Sequence, residues 1–311
     1  MLRQTLLYLS NQQQIFRFVR KNRLAKGFAS RFVAGETVDT ALDAVRALNA
    51  RGIAASLDLL GESVHDEAEA RAAAAEYLTL LDRINADALD SHVSVKLTAM
   101  GLDVSEALCI DNMRRIVERA AAYDTFVRID MESSEYTDRT LDLFERHLYP
   151  EFPGHVGIVL QSALRRTSAD VDRAIRLRAR VRLCKGAYKE PSDIAYPDKA
   201  DVDEAYVRQM YQLIAEGNYP GIATHDEAII AQAQGFVMAE EIPRDRFEFQ
   251  MLYGVRRDLQ DSLVAEGYNM RVYVPFGTQW YPYLMRRLAE RPANLAFITG
   301  NILKEMVNGR R

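Results

Sequence analysis

The stretch GIVLQSALRRTSADVDRAIRLRARVRLCK, residues 157–185, contains one complete structural period. GIVLQ (157–161) and VRLCK (181–185) are short, apolar and rich in branched side chains, and each ends in a polar residue, Gln161 and Lys185. Between them, Ser168 to Arg178 mixes Ala, Ile, Leu, Asp and Arg at helical spacing. Two strand-length runs joined by a helix of about three turns form a strand-helix-strand unit, and such a crossover makes the strands parallel.

The same period extends in both directions. Upstream lie AASLDLL (54–60), VSVKLT (93–98) and FVRIDM (126–131); downstream lie GIATH (221–225), FEFQML (247–252) and MRVYVPF (270–276). Helix-forming stretches fill the intervals, among them Asp66 to Arg83, Ser105 to Ala122, Asp201 to Glu216, Glu227 to Gly235 and Arg256 to Glu266. Eight alternating strand and helix units predict an α/β fold with a closed (βα)8 barrel.

Length alone allows two domains, yet no Gly-rich linker, low-complexity tract or change of composition divides the units. The expected organisation is an N-terminal helical arm over 1–50 and a catalytic barrel over 51–311, with a terminal helix near Asn301 to Val307. The arm carries Leu6, Leu7, Ile15, Phe16, Phe18 and Val19 near helical spacing, with a basic run from Arg17 to Lys26 on other faces. It reads as a helix packed on the body, with a membrane-surface helix as the alternative.

A net charge of −4 and the lack of a basic stripe interleaved with aromatics argue against nucleic acid as a partner. Cys109 and Cys184 have no metal-type spacing and suit a reducing compartment, and the histidines are scattered, so no metal site is expected. The opening MLRQTLLYLS is too short for a signal core and no run approaches a bilayer span, which makes the cytoplasm the default compartment.

Polar residues are costly in a buried parallel strand, so their positions carry information. They fall late in the runs: Lys96, Asp130, Gln161, Arg182 with Lys185, Thr224 with His225, Gln250 and Tyr273. The C-terminal strand ends form the active-site face of a β/α barrel, so a polar ring around one mouth is expected. Taken singly, each residue is equally explained as a strand end bonded to a loop. In YPYLMRRLAER (281–291), Arg286 and Arg287 share a helix face with Glu290, which makes a preorganised clamp for a carboxylate. Tyr273, Trp280, Tyr281 and Tyr283 supply aromatic surface beside it.

VSVKLTAMG, FVRIDME, VRLCKGAY, ATHD and YLMRRLAE, in this order, resemble the proline dehydrogenases, including that domain of bifunctional proline-utilisation flavoproteins. The resemblance runs from about residue 53 to 307. It implies a distorted TIM-type barrel holding non-covalent FAD, hydride transfer from C5 of L-proline to flavin N5, Δ1-pyrroline-5-carboxylate as product, and electrons passed to a membrane quinone. Peripheral association with the inner face of the membrane follows from that acceptor.

The resemblance places Asp130 and Arg182 in catalytic positions. It places Lys96, Arg286 and Arg287 on the proline carboxylate with Glu290 holding the arginines, and Leu252, Tyr273 and Tyr283 around the proline ring, where Ala187 and Tyr188 would complete the cage. Met131, Gln161, Arg182, Lys185, Gly186, Ala187, Thr224 and His225 fall on FAD-contacting positions. Asp130 is expected to orient Lys96. The chain departs from the bifunctional relatives at Lys189, where an aromatic residue stands in them, and in a segment shorter by two residues between Gly277 and Tyr283.

The base that takes the proline amine proton stays open among Asp130, Tyr273 and solvent. Two rival readings remain: a Schiff-base aldolase using Lys96 or Lys185, and a non-catalytic barrel that binds anions.

Overall fold

The structure, a computed structural model, describes residues 29–290, with side chains through Met285. Helix α1 (Val38–Asn49) leads into the alternation β1 (Ala54–Leu59), α2 (Glu67–Ala86), β2 (Ser91–Lys96), α3 (Glu106–Ala122), β3 (Val127–Asp130) and α4 (Ser134–Leu143). A single π-helical turn, Phe144–Leu148, extends α4. The order continues with β4 (Val156–Gln161), α5 (Thr167–Arg176), β5 (Arg180–Cys184), α6 (Lys199–Glu216), β6 (Gly221–Ala223), α7 (Glu227–Ala239), β7 (Glu248–Leu252), α8 (Arg257–Ala265), β8 (Asn269–Phe276) and α9 (Trp280–Glu290).

Each strand pairs in parallel with the next, and β8 returns to β1, so the sheet is a closed eight-stranded (βα)8 barrel. The helix starts are written in the sequence as caps. Thr37 and Thr40 form a reciprocal capping box on α1, Asp66 accepts from the Glu69 amide at α2, and Ser105 accepts from the Leu108 amide at α3.

Every strand alternates. Val93, Val95, Val127, Ile129, Val181, Leu183, Phe249 and Met251 belong to one continuous apolar core with helix residues such as Leu80, Ile84, Met113 and Ile116. Burial of each such side chain contributes about 1.5–3 kcal/mol. The residues between them face the barrel axis, and most are polar: Ser56, Asp58, Ser94, Lys96, Arg128, Asp130, Arg182, Glu248, Gln250, Arg271 and Tyr273. The interior is therefore a charged, hydrogen-bonded column rather than the branched apolar filling common in such barrels. The expected ring at one mouth is only its upper end.

Several boundaries differ from the sequence expectation; β2, for one, runs Ser91–Lys96 rather than 93–98. Helix α7 runs past Gly235 to Ala239; that glycine costs about 1 kcal/mol against alanine, which a packed helix absorbs. Strand β6 ends at Ala223, so Thr224 and His225 stand in the loop beyond it. Helix α1 buries Ala41, Leu42, Val45 and Leu48 and packs on β1 and β8. Just before it, the Ala34 amide donates to the Pro275 carbonyl at 2.8 Å, and the Gly277 amide donates to the Gly35 carbonyl at 3.0 Å. The basic run from Arg17 to Lys26 and the helix expected near Asn301 to Val307 lie outside the described residues.

Candidate active site

The late polar residues of β1, β2, β3, β5 and β8 meet at one end of the column. Asp130 closes β3 and receives two bonds, from Arg182 Nη1 at 2.7 Å on Oδ1 and from the Tyr273 hydroxyl at 3.0 Å on Oδ2. Arg182 has each nitrogen engaged: Nε donates to Gln250 Oε1 at 2.5 Å, and Nη2 donates to Ser94 Oγ at 3.1 Å and Ser56 Oγ at 3.3 Å. Its guanidinium carbon also lies 5.3 Å from the centroid of the Tyr273 ring. Five strands thus converge on one buried cation.

Lys96 is not oriented by Asp130, contrary to the sequence expectation. Its Nζ sits 3.1 Å from both carboxylate oxygens of Asp58, on the neighbouring strand. Asp58 is 1% exposed and Lys96 is 13% exposed, so the ammonium is the accessible partner and the carboxylate its buried anchor. Burial works against the ammonium charge, but Asp58 and then Asp130 outweigh it and raise the Lys96 pKa. Lys96 is therefore a fixed cation at the rim. Glu62 and Tyr188 also act on it electrostatically, which places both near the same opening.

Tyr273 is held as a neutral phenol, because burial first, then Asp130 and Asp58, drive its pKa well above the usual value. It donates to Asp130 and is not available as a base at neutral pH. Tyr283, buried on α9, lies within electrostatic reach of Tyr273, and Leu252 closes β7 as a half-buried wall residue. Trp280 is turned elsewhere, with its indole N–H donating to Glu36 at 3.0 Å. Arg286, Arg287 and Glu290 belong to α9, but their side chains lie outside the described residues.

A second group lies on the loops after β4, β5 and β6. Gly186 adopts φ +103°, a left-handed conformation suited to glycine, and a Cβ there would stand 2.9 Å from Gln161 Oε1. Gln161 is fixed by its Nε2, which donates to the Glu132 carbonyl at 2.7 Å, and Met131 is buried just after β3. Gly186 and Ala187 are exposed, so their backbone is open to a ligand. Lys185 is paired with Asp203 at 2.5 Å and Asp226 at 3.2 Å. These carboxylates also line a cleft of about 560 Å³ between α6 and α7 with Val207, Tyr211, Ile229 and Gln232. The cleft opens beside Lys185 rather than over Lys96. Thr224 Oγ1 accepts from the Asp226 amide at 3.1 Å, and His225 Nε2 accepts from the Leu252 amide at 2.9 Å, which puts any single ring proton on Nδ1.

Several participants gave no late-position signal. Asp58 anchors Lys96; Glu132 accepts from the Thr98 amide at 3.1 Å and its hydroxyl at 2.6 Å; Glu248 and Arg271 sit at strand starts. Their signal is parity: Asp58 follows Ser56 by two places, as Asp130 follows Arg128 and Gln250 follows Glu248.

A closed β/α barrel whose mouth joins a rim ammonium, a buried Arg–Asp pair and a phenol wall, with a cleft between two helices beside it, has the architecture of a barrel enzyme with its site at the C-terminal strand ends. The chain belongs to the proline dehydrogenase family, whose sequence pattern matches residues 41–300. It is 44% identical over 306 residues to the proline dehydrogenase of Deinococcus radiodurans, covering 97% of this chain and 98% of that one. It is 42% identical over 305 residues to proline dehydrogenase 1 of Bacillus subtilis, covering 98% and 100% of the two chains. Among solved structures, proline utilization A from Bdellovibrio bacteriovorus, inactivated by N-propargylglycine, matches with TM-score 0.81 and 28% identity over 89% of this chain; the match spans 34% of that longer protein.

Proposed function

We propose that this chain oxidises L-proline to Δ1-pyrroline-5-carboxylate with bound FAD as the immediate oxidant, as the first step of proline breakdown to glutamate. The observation that carries the reading is the pairing of the Asp58–Lys96 cation with the Asp130–Arg182–Tyr273 cluster at one mouth of a barrel of this family. When bound, FAD would supply the two-electron acceptor for a hydride from proline C5, with flavin N5 as the accepting atom and a quinone as the final electron acceptor.

The residues present fit such a group. The open backbone at Gly186 and Ala187, the fixed amide of Gln161 and the apolar surface of Met131 suit the flavin ring, while Lys185, Thr224 and His225 suit the chain leading to the α6–α7 cleft. Tyr211, Val207 and Ile229 give that cleft the apolar lining an adenine needs. Arg182, held in place by Asp130 and Gln250, would stabilise negative charge on such an acceptor.

Lys96 orients proline by its carboxylate, joined by Arg286 and Arg287 with Glu290 behind them. Leu252, Tyr273, Tyr283, Ala187 and Tyr188 enclose the ring and exclude water. The amine enters neutral so that its lone pair stabilises the iminium as hydride leaves. Tyr273 keeps its proton, which leaves Asp130 and solvent as acceptors for the amine proton.

A Schiff base on Lys96 requires a neutral amine, whereas Asp58 and Asp130 favour the ammonium. Among the described residues no helix is long and apolar enough to cross a membrane. Delivery of electrons to a quinone then calls for peripheral docking at the inner face of the membrane.

The clamp is tested by Arg286→Lys and Arg287→Lys. Each is expected to raise KM for proline by about tenfold or more, since a point charge replaces a two-bond fork. An unchanged KM in both variants contradicts the carboxylate assignment.

A further inference from the structure

Beneath the Asp130–Arg182 pair, polar contacts continue unbroken through the barrel. Arg182 Nε donates to Gln250 Oε1 at 2.5 Å, and Gln250 Nε2 donates to Glu248 Oε1 at 2.6 Å. Arg271 Nε donates to both oxygens of Glu248 at 2.9 and 3.1 Å, and the Tyr219 hydroxyl adds a bond of 3.3 Å. Arg271 is anchored in turn by Nη1, which donates to the Ala55 carbonyl at 2.8 Å. Charge alternates along the column: Arg271 positive, Glu248 negative, Arg182 positive, Asp130 negative.

Only one orientation of the Gln250 amide serves both of its neighbours. The Nε–H of Arg182 is a donor and needs the carbonyl; an ionised Glu248 is acceptor-only and needs the NH2 group. Burial opposes the Glu248 charge, but Arg271 outweighs it and holds the carboxyl below its usual range. A flipped amide would set donor against donor and oxygen against carboxylate in a buried site. Space is also reserved for this amide. A Cβ on Gly221 would stand 2.3 Å from Gln250 Nε2 and 2.7 Å from its Cδ. The Gly221 backbone has no left-handed φ, so the need for glycine there lies in the side chain opposite.

We propose that Gln250, its amide aimed by Glu248 and Arg271 and given room by Gly221, is the positioning residue that fixes the plane of the Arg182 guanidinium at the reacting centre. Asp130 fixes one nitrogen of that group, and two long serine bonds hold another. The bond to Gln250 stops the guanidinium from sliding along the Asp130 carboxylate. This rests on the function proposed above, in which Arg182 lies beside the flavin.

The test uses the flavin-loaded enzyme and two readouts, with Gly221→Ala, Gln250→Leu and Glu248→Gln as variants. Turnover is measured against proline concentration, and the Arg182 Nε–H signal is followed in the 15N spectrum, identified by its loss in Arg182→Lys. Gly221→Ala removes no polar group, yet it is expected to shift or broaden that signal and to lower kcat about tenfold while KM stays within about twofold. Gln250→Leu and Glu248→Gln are expected to show the same split. Wild-type kcat in folded, flavin-loaded Gly221→Ala and Gln250→Leu overturns the proposal, and so does a rise confined to KM.

An Arg182 Nε–H in the wild type that exchanges as fast as an exposed guanidinium overturns it without any variant. A wild-type protein that shows the protected signal but does not oxidise proline contradicts the proposed function instead.

Discussion

Under the proposed function, Asp58 is what fits Lys96 to receive an anion. The carboxylate is buried, grips the ammonium through both oxygens and supplies the largest favourable contribution to its charge. Asp58→Asn keeps the shape but removes that charge, so proline KM is expected to rise about tenfold, equivalent to about 1.4 kcal/mol of carboxylate binding. Steady-state kinetics with proline checks this, and an unchanged KM contradicts the anchoring role. Lys96 and Asp130 were legible because a polar residue interrupts an otherwise apolar run near its end, and Arg182 and Tyr273 because each interrupts one mid-run. Asp58 was less so, since Leu59 and Leu60 follow it and make AASLDLL look like a plain core strand. Its parity with Ser56 was the available signal. The partner of Lys96 was misjudged because strand order gives adjacency but not side-chain reach: Asp130 lies directly across from Lys96 in register, yet Arg182 and Tyr273 occupy its oxygens.

Among the elements, the loop after β5 carries Gly186 and Ala187, is bonded through its backbone to the loop after β4, and is tied to α4 by one side chain. Ser133, the N-cap of α4, makes no side-chain capping bond, and Glu190 from that loop takes over, accepting from the Ser134 amide at 2.8 Å and its hydroxyl at 2.5 Å. The carboxylate also suits the positive end of the helix. Glu190→Ala is expected to cost about 0.5–2 kcal/mol and to speed hydrogen exchange in residues 185–198 relative to the barrel strands. Equal exchange in variant and wild type contradicts the latch. Strands were the most legible elements, because short branched runs bounded by helix-length intervals allow little else. The content of the barrel was less so. Buried parallel strands usually read as unbroken apolar runs, whereas here V-R-I-D, V-R-L-C and F-E-F-Q place apolar residues outward and charge inward. That period of two is also the pattern of an antiparallel sheet with one wet face; only the helices between the strands identify it as a barrel with a polar axis.

For the whole molecule, the barrel's interior charge sets how it responds to acid. His92 lies at the start of β2, beside Phe126 with ring centroids 5.4 Å apart, and burial first, then Arg271, Arg128, Arg182 and Arg180, press its pKa well below the usual value. In the unfolded chain it takes a proton near pH 6.5, so its contribution is full above about 6.5 and is lost as pH falls below it, by up to about 1.4 kcal/mol per pH unit. Urea midpoints at falling pH are expected to decline more steeply in the wild type than in His92→Gln; parallel slopes contradict this. The central claim is tested most directly by adding L-proline anaerobically to the FAD-loaded protein and recording the flavin spectrum. Proline is expected to bleach the oxidised flavin bands; an oxidised spectrum that proline leaves unchanged while another amine bleaches it, or a protein that takes up no FAD, contradicts the account.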